Sequence, residues 1–334
     1  MSVIRWGTLG CGRIVRKGFL PGVKAAEGSE LYAVASLRPG VAEEVRQQTG
    51  AAVAYNSYEE LLADPHVDAV YVPCTGDLHE RWTIAAAKGG KHVLCEKPLS
   101  TSLKSAITME QACREQGVLL MEAFMWRHHP RATRLKRWVD EGAIGPLRNI
   151  NVSFSFSIDR NDWRMRPERG GGAMWDIGAY GVNAARFLTG EEPIDLYARG
   201  HWSDTGVDLS MNASLVFPKE VLVNIDCSFA APFRCRLEVV GESGRIELNA
   251  AFQPIWDRTL TLWRSTDREA IPEVYEVEDV DQYACQVTHF ANSIRAGKLL
   301  PPAESGVANM RVMSQLISDA QQHRVPASAI PGKT

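Results

Sequence analysis

Six short apolar runs alternating with longer stretches of helical periodicity fill the first third of the chain, and this alternation constrains the fold more than any other feature. The runs cover residues 3–9, 31–37, 51–54, 69–72, 92–95 and 118–121, and residues 78–88 and 103–116 are among the helical stretches between them. Strands joined through helices pair in parallel, because a parallel pair needs a long crossover. A parallel sheet with helices on both faces follows, an α/β doubly wound (Rossmann) arrangement. Ser57 and Glu60 have the spacing of a capping box that opens a short helix, and Gly89-Gly90 and Gly117 read as helix stops.

After about residue 122 the pattern changes. A helical stretch over 131–141 ends at Gly142 and is followed by an alternating run, 150–158, with Val152, Phe154, Phe156 and Ile158 on one face. Gly170-Gly171-Gly172 leads into a helix over 173–188. Strand patterns then follow one another at 196–201, 208–217, 221–229, 235–240 and 245–248, with no helix between them. Such succession predicts an α+β second half with an open, mostly antiparallel sheet. Gly241-Glu242-Ser243-Gly244 is read as a hairpin turn between two of these strands, not as a nucleophile elbow. Helices over 282–295 and 304–321 close the chain. At roughly 150 residues per domain, 334 residues suit two domains, placed at 1–122 and 123–334.

Net charge is −3, so no global field draws the chain to nucleic acid or anionic lipid. No apolar run approaches the ~18 residues of a membrane span. Val3-Ile4-Arg5-Trp6-Gly7 lacks the n- and h-regions of a signal peptide. The seven cysteines are scattered, with no C-x-x-C pair, which suits reduced thiols and a cytoplasmic protein.

Four motifs carry the chemistry. Gly10-Cys11-Gly12-Arg13-Ile14 follows the first strand, where a first glycine allows a tight turn and a second lets backbone approach a pyrophosphate. Val15 occupies the third glycine position, so the fingerprint is incomplete. The second strand ends in Ser36-Leu37-Arg38 with no carboxylate. A carboxylate there would accept bonds from an NAD ribose and repel a 2′-phosphate, whereas Ser36 and Arg38 suit that phosphate, so NADP is preferred and NAD stays open. Glu96-Lys97-Pro98 stands at the carboxyl end of the fifth strand, where ligands of such sheets bind, although a strand-end lysine is ordinarily a solvated cation. Asp176 and Tyr180 are four apart on the helix after the triple glycine and are expected to share a face. His128-His129 are adjacent and lack a partner set, so no metal site is expected.

Together, the opening G-x-G, Cys95-Glu96-Lys97-Pro98, and the run from Gly170 to Tyr180 resemble the Gfo/Idh/MocA oxidoreductase family, and the likeness extends through Met121-Glu122-Ala123-Phe124-Met125. The resemblance implies Lys97 as active-site lysine, Asp176 as the helix aspartate, and Tyr180 where many members carry histidine. Tyrosine there is similar to the glucose-fructose oxidoreductase, aldose dehydrogenase and dihydrodiol dehydrogenase branch. It also implies Cys74, Thr75, His79 and Glu96 beside the cofactor, an active site between the two domains, and homodimers or homotetramers formed through the C-terminal sheet.

An unperturbed tyrosine titrates near ~10, too high for a base at neutral pH, and a nearby ammonium lowers that value. Tyr180 is therefore expected as general acid/base, with Lys97 tuning it and Asp176 orienting Lys97 or a substrate hydroxyl. Trp163-Arg164 suits the apolar face and hydroxyls of a sugar, and Asn183 and Tyr283 are further candidates for the substrate pocket. The expected activity is hydride transfer between NADP and a sugar or polyol, as oxidation of an aldose to a lactone or reduction of a keto-sugar. A dihydrodiol dehydrogenase, a tightly NADP-loaded glucose-fructose-type oxidoreductase and a non-catalytic cofactor-sensing regulator remain as alternatives.

Overall fold

The structure is a computed structural model that describes residues 2–267, 269–301 and 305–324. Its elements are β1 (Ile4–Leu9), α1 (Leu20–Ala25), β2 (Ser29–Ala35), α2 (Val41–Thr49), β3 (Val53–Tyr55), α3 (Tyr58–Ala63), β4 (Ala69–Val72), α4 (Gly76–Lys88), β5 (His92–Glu96), α5 (Leu103–Glu115), β6 (Leu120–Ala123) and α6 (Pro130–Asp140). These are followed by β7 (Leu147–Ser155), α7 (Ala179–Thr189), β8 (Asp195–Trp202), β9 (Asp208–Phe217), β10 (Val221–Ser228), β11 (Arg234–Gly241), β12 (Arg245–Asn249), β13 (Thr259–Trp263), β14 (Glu273–Glu276), α8 (Gln282–Ala296) and α9 (Gly306–Gln322). The expected closing helix began at residue 304, which lies outside the described residues.

The chain divides into two compact units. The first comprises Met1–Thr133 with Glu278–Met310. Its six strands are all parallel in the order β3-β2-β1-β4-β5-β6, the doubly wound arrangement expected from the alternation. The Ser57 hydroxyl accepts the Glu60 N–H at 3.0 Å, capping α3. The expected boundary at 122 falls inside this unit, and a segment from the far end of the chain returns to it. The cause is burial: Val287, Phe290 and Ala291 of α8 join the core around Trp6, Phe19 and Tyr71. Trp6 meets Phe19 edge-on at 5.6 Å and tilts against Phe290 at 5.9 Å. The Arg295 side chain adds a bond to the Ser2 carbonyl at 3.0 Å.

The second unit comprises Arg134–Val277 with Arg311–Thr334. Its eight strands run β14-β13-β12-β11-β7-β10-β9-β8, and β7–β10 is the parallel pair in an otherwise antiparallel sheet. β7 sits between β10 and β11, so two strands adjacent in sequence are not neighbours. The alternation over 150–158 showed which face of β7 is buried but not which strands would flank it. Thr259–Trp263 and Glu273–Glu276 extend the sheet by two strands that the sequence reading missed. β14 is exposed along its whole length and so carries no alternation signal. The Gly241 N–H donates to the Gly244 carbonyl at 2.9 Å, closing the expected hairpin.

On one face of this sheet Ile150, Val152, Val223 and Ile225 are buried against the π turn Met174–Gly178 and α7. The other face carries a polar ladder. The Ser214 hydroxyl bonds Asn224, whose amide donates to Asn151 at 3.1 Å, and the Asn151 amide donates to Glu238 at 2.8 Å.

Candidate active site

In the first unit, a hollow of about 200 Å³ is lined by Leu9, Gly10, Cys11, Gly12, Ser36, Leu37, Arg38, Tyr58, Pro73 and Cys74. Its walls are the carboxyl ends of β1, β2 and β4, as the topology of such sheets requires for a ligand site. Gly10 has a φ of +132°, and a Cβ there would approach the Tyr58 hydroxyl at 3.3 Å. Gly12 differs: a Cβ there would meet no protein atom within 4 Å. The protein's own packing therefore does not demand glycine at 12, whereas a pyrophosphate lying against this backbone would. The residues present fit a dinucleotide.

Seven of the expected cofactor residues line the hollow, namely Gly10, Cys11, Gly12, Ser36, Leu37, Arg38 and Cys74. Arg13 and Ile14 lie just beyond it, at the start of the helical stretch that passes through a π turn, Val15–Phe19, into α1. The Ser36 hydroxyl accepts the Arg38 N–H at 3.2 Å, which shapes the turn that presents the Arg38 side chain. Arg16 reaches Glu44 at 3.0 Å and holds that carboxyl below its ordinary range. Burial pushes the Cys74 thiol up to about 12, so it is a neutral packing group. Tyr58 was missed by the sequence reading. It follows the Ser57 cap directly, and a cap at a strand-end loop was the signal available.

His79 is 1% exposed, and both ring nitrogens face backbone. Nδ1 lies 3.0 Å from the Pro98 carbonyl and 3.2 Å from that of Leu99, and Nε2 lies 2.8 Å from the Cys74 carbonyl. The ring thus ties the loop before α4, where Thr75 is the N-terminal cap residue, to the chain just after Lys97. The Lys97–Pro98 peptide is cis. Glu96 accepts the Tyr71 hydroxyl and the Lys97 N–H, and Tyr71 stacks on Phe19 at 4.3 Å. Tyr283, expected in the substrate pocket, packs within the first unit. A Cβ at Gly18 or Gly22 would strike its ring or Cβ at 2.7 and 2.6 Å. Burial and the Glu96 carboxylate push its phenol upward.

In the second unit, Asp176, Tyr180 and Asn183 lie on one helical segment that starts with the π turn Met174–Gly178 and continues as α7. A π turn between Asp176 and Tyr180 departs from regular α-helical spacing, a departure frequent at functional sites. The Asp176 carboxylate accepts the Arg164 Nε–H at 2.6 Å. Asp162 binds the same guanidinium at 3.2 Å, and the Arg164 cation lies 4.9 Å from the Trp163 ring. Burial alone would lower the Arg164 pKa, but Asp176 and Asp162 outweigh it and raise it. Tyr180 is 4% exposed and sits against Phe154 at 5.5 Å and Phe252 at 4.9 Å. Asn183 is buried further along the helix. The structure thus brings Trp163, Arg164 and Asp176 into one cluster and places Tyr180 in an aromatic box one turn on.

Among the described residues, no helix is long and apolar enough to cross a membrane, and no group of three ligating side chains is placed to hold a metal.

Residues 4–124 match the family model described as "Oxidoreductase family, NAD-binding Rossmann fold", and residues 132–247 match "GFO/IDH/MocA C-terminal domain". The chain is 35% identical to a D-xylose 1-dehydrogenase (NADP(+)) from Haloferax volcanii, over 95% of this chain and 97% of that protein. Among solved structures, an aldose-aldose oxidoreductase from Caulobacter crescentus complexed with glycerol aligns with a TM-score of 0.88 at 28% identity, covering 96% of this chain and 98% of that one. A 3-ketoreductase from Actinomadura kijaniata, in complex with NADP and TDP-benzene, aligns with a TM-score of 0.85 at 31% identity, covering 97% and 98%.

Proposed function

Because this chain belongs to the GFO/IDH/MocA oxidoreductase family, we propose that it oxidises an aldose at its anomeric carbon to a lactone with NADP as hydride acceptor. The observation that carries this reading is the end-to-end likeness to an NADP-dependent xylose dehydrogenase, with Lys97 and Tyr180 both present. Met1–Thr133 is then the nucleotide-binding unit and Arg134–Val277 supplies the substrate contacts.

When bound, the nicotinamide supplies the acceptor for the hydride that leaves the carbinol carbon. Gly10, Cys11 and Gly12 would hold the pyrophosphate by backbone, and Ser36 and Arg38 the 2′-phosphate. Tyr180 takes the hydroxyl proton as the C–H bond breaks, as the general acid/base of this reading, and Lys97 is its active-site lysine. Asp176, held by Arg164 at 2.6 Å, accepts a neighbouring substrate hydroxyl. Trp163 offers the flat apolar surface that a sugar ring needs. His79 acts behind the site, against the backbone just after Lys97 and that of Cys74, and Tyr283 acts by packing on the nucleotide-binding segment.

The reading includes a homodimer or homotetramer formed through the second sheet. Leu222 and Tyr197, each about half exposed, support it, as does the Ser214–Asn224–Asn151–Glu238 ladder on the face away from Tyr180. It also includes a cytoplasmic location, supported by seven cysteines that stand as thiols and not as disulfides.

A panel of aldoses, polyols and dihydrodiols, assayed by nicotinamide absorbance with NADP and NAD in parallel, tests the reading. Turnover of one or more aldoses, faster with NADP, is expected. Equal rates with NAD would overturn the role of Ser36 and Arg38, and turnover confined to dihydrodiols would overturn the substrate class. Sedimentation of the wild type beside Leu222→Glu tests the assembly, and a monomeric wild type would remove it.

A further inference from the structure

The helical segment that carries Asp176 and Tyr180 is tied at its start to a carboxylate from a different strand. Asp208, the first residue of β9, is 2% exposed. Its Oδ2 accepts the Met174 N–H at 2.6 Å, and the Ala173 N–H is a further backbone donor to the same carboxyl. Independently, Gly172 stands at a φ of +129°, and a Cβ there would fall 2.2 Å from Asp208 Oδ1. The carboxylate thus occupies the space that any other side chain at 172 would need. This gives the third glycine of the triple a specific reason: it lets the chain turn into the helix while Asp208 sits against its first amides.

A buried carboxylate is costly, and the compensation here comes from backbone N–H groups at the beginning of a helical segment, where a negative charge is best placed. Burial pushes this carboxyl up to about 7 against the pull of the Met174, Asp208 and Ala173 N–H groups. The Cys227 thiol of β10 is an ionisable group close enough to feel it, and it is itself raised by burial, with Asp208 adding to the effect. An apolar side chain would fill this space at lower cost, but it would leave the amides of residues 173 and 174 without an acceptor.

We propose that Asp208 is a positioning residue for the reaction: its carboxylate clamps the first turn of the helical segment over 173–189 and thereby sets where Asp176 and Tyr180 are held. The inference rests on the assignment of Tyr180 made above.

The test compares full-length wild type, Asp208→Asn, Gly172→Ala and Tyr180→Phe. Hydrogen–deuterium exchange over residues 172–180 reads the clamp without reference to activity. Steady-state kinetics with NADP and the best aldose of the panel read its consequence. Asp208→Asn keeps the side-chain shape but replaces one accepting oxygen, which a protonated carboxyl would retain, by an amide nitrogen that cannot accept, and it is expected to speed exchange over 172–180 by about tenfold or more. It should lower kcat by about 10- to 100-fold, leaving the Kd for NADP within about twofold. Gly172→Ala, which drives a methyl group into the carboxylate but keeps its charge, is expected to do the same and serves where the Asn variant does not fold. Unchanged exchange over 172–180 in either folded variant overturns the proposal. Faster exchange with full turnover overturns it as well. In that case Tyr180→Phe locates the fault: retained turnover there points to the Tyr180 assignment, and lost turnover points to the clamp.

Discussion

The two units hold their chemical groups in different ways. In the first, the nucleotide hollow is built from strand-end loops, and its contacts are made by short contiguous segments: Leu9 to Gly12, Ser36 to Arg38, and Pro73-Cys74. In the second, the side chains of interest are held by charges that meet across the sequence. Asp176 is bound by Arg164, 12 residues away, and the first turn of its helical segment by Asp208, 34 residues from Met174. Backbone presentation needs only the right turn at the right strand end. Charge presentation needs two or three distant segments to arrive together, and each carboxylate or guanidinium is costly if its partner is lost. Single changes on the nucleotide side should therefore show in cofactor affinity, and those on the substrate side in turnover.

Removing one oxygen from the second unit gives the largest expected effect. Tyr180→Phe keeps the ring against Phe154 and Phe252, so stability should hold, while kcat falls by about 10²- to 10⁴-fold, the usual worth of a general acid/base. Near-normal turnover of the folded variant would remove Tyr180 from the reaction. Next come two glycine variants that separate the units. Gly10→Ala places a side chain at a φ of +132° and 3.3 Å from the Tyr58 hydroxyl, and it should weaken NADP binding by about 10- to 100-fold while leaving kcat at saturating cofactor largely intact. Gly172→Ala should do the reverse. If both variants lose cofactor affinity, or both lose kcat alone, the division of labour is wrong.

The same contrast explains what could be read from the sequence. The parallel sheet, the Gly10-Cys11-Gly12 loop and the Ser36-Leu37-Arg38 turn depend on periodicity and local turn chemistry, and both leave a mark over a few residues. The family likeness rested on equally contiguous runs at Glu96-Lys97-Pro98 and Gly170 to Tyr180. What was not legible is long-range. The insertion of β7 between β10 and β11 is set by side-chain packing across the sheet, and the return of α8 to the first unit by the fit of Phe290 against Trp6. Asp208 had no signal as an isolated aspartate at a strand start, and nothing local shows that Gly18 and Gly22 make room for Tyr283 in the first unit.

Arg38 offers a smaller and more selective test of the first unit. It is exposed, so its charge is screened, and Arg38→Ala should raise the Kd for NADP by about tenfold and leave that for NAD within about twofold. Equal losses for both cofactors would assign Arg38 to the pyrophosphate or adenine instead of a 2′-phosphate.

The smallest expected effect is a difference in how the units answer pH. In the first unit, burial lowers the pKa of His128, helped by His289 and Arg127. A histidine held neutral contributes stability that is present above its unfolded value near ~6.5 and lost as pH falls below it. In the second unit, Asp208 is raised to about 7. Its contribution is complete below the unfolded carboxyl value near ~4 and is lost as pH rises through about 7. Lowering the pH from about 7.5 to about 5.5 should therefore loosen the first unit and tighten the second. Hydrogen–deuterium exchange, corrected for the intrinsic pH dependence of the chemistry, would show reduced protection around β1 and α8 and increased protection over 172–180. Asp208→Asn should abolish the second slope and leave the first. Protection that moves in the same direction in both units, or a slope over 172–180 that survives in Asp208→Asn, would show that the buried carboxylate is not what distinguishes them.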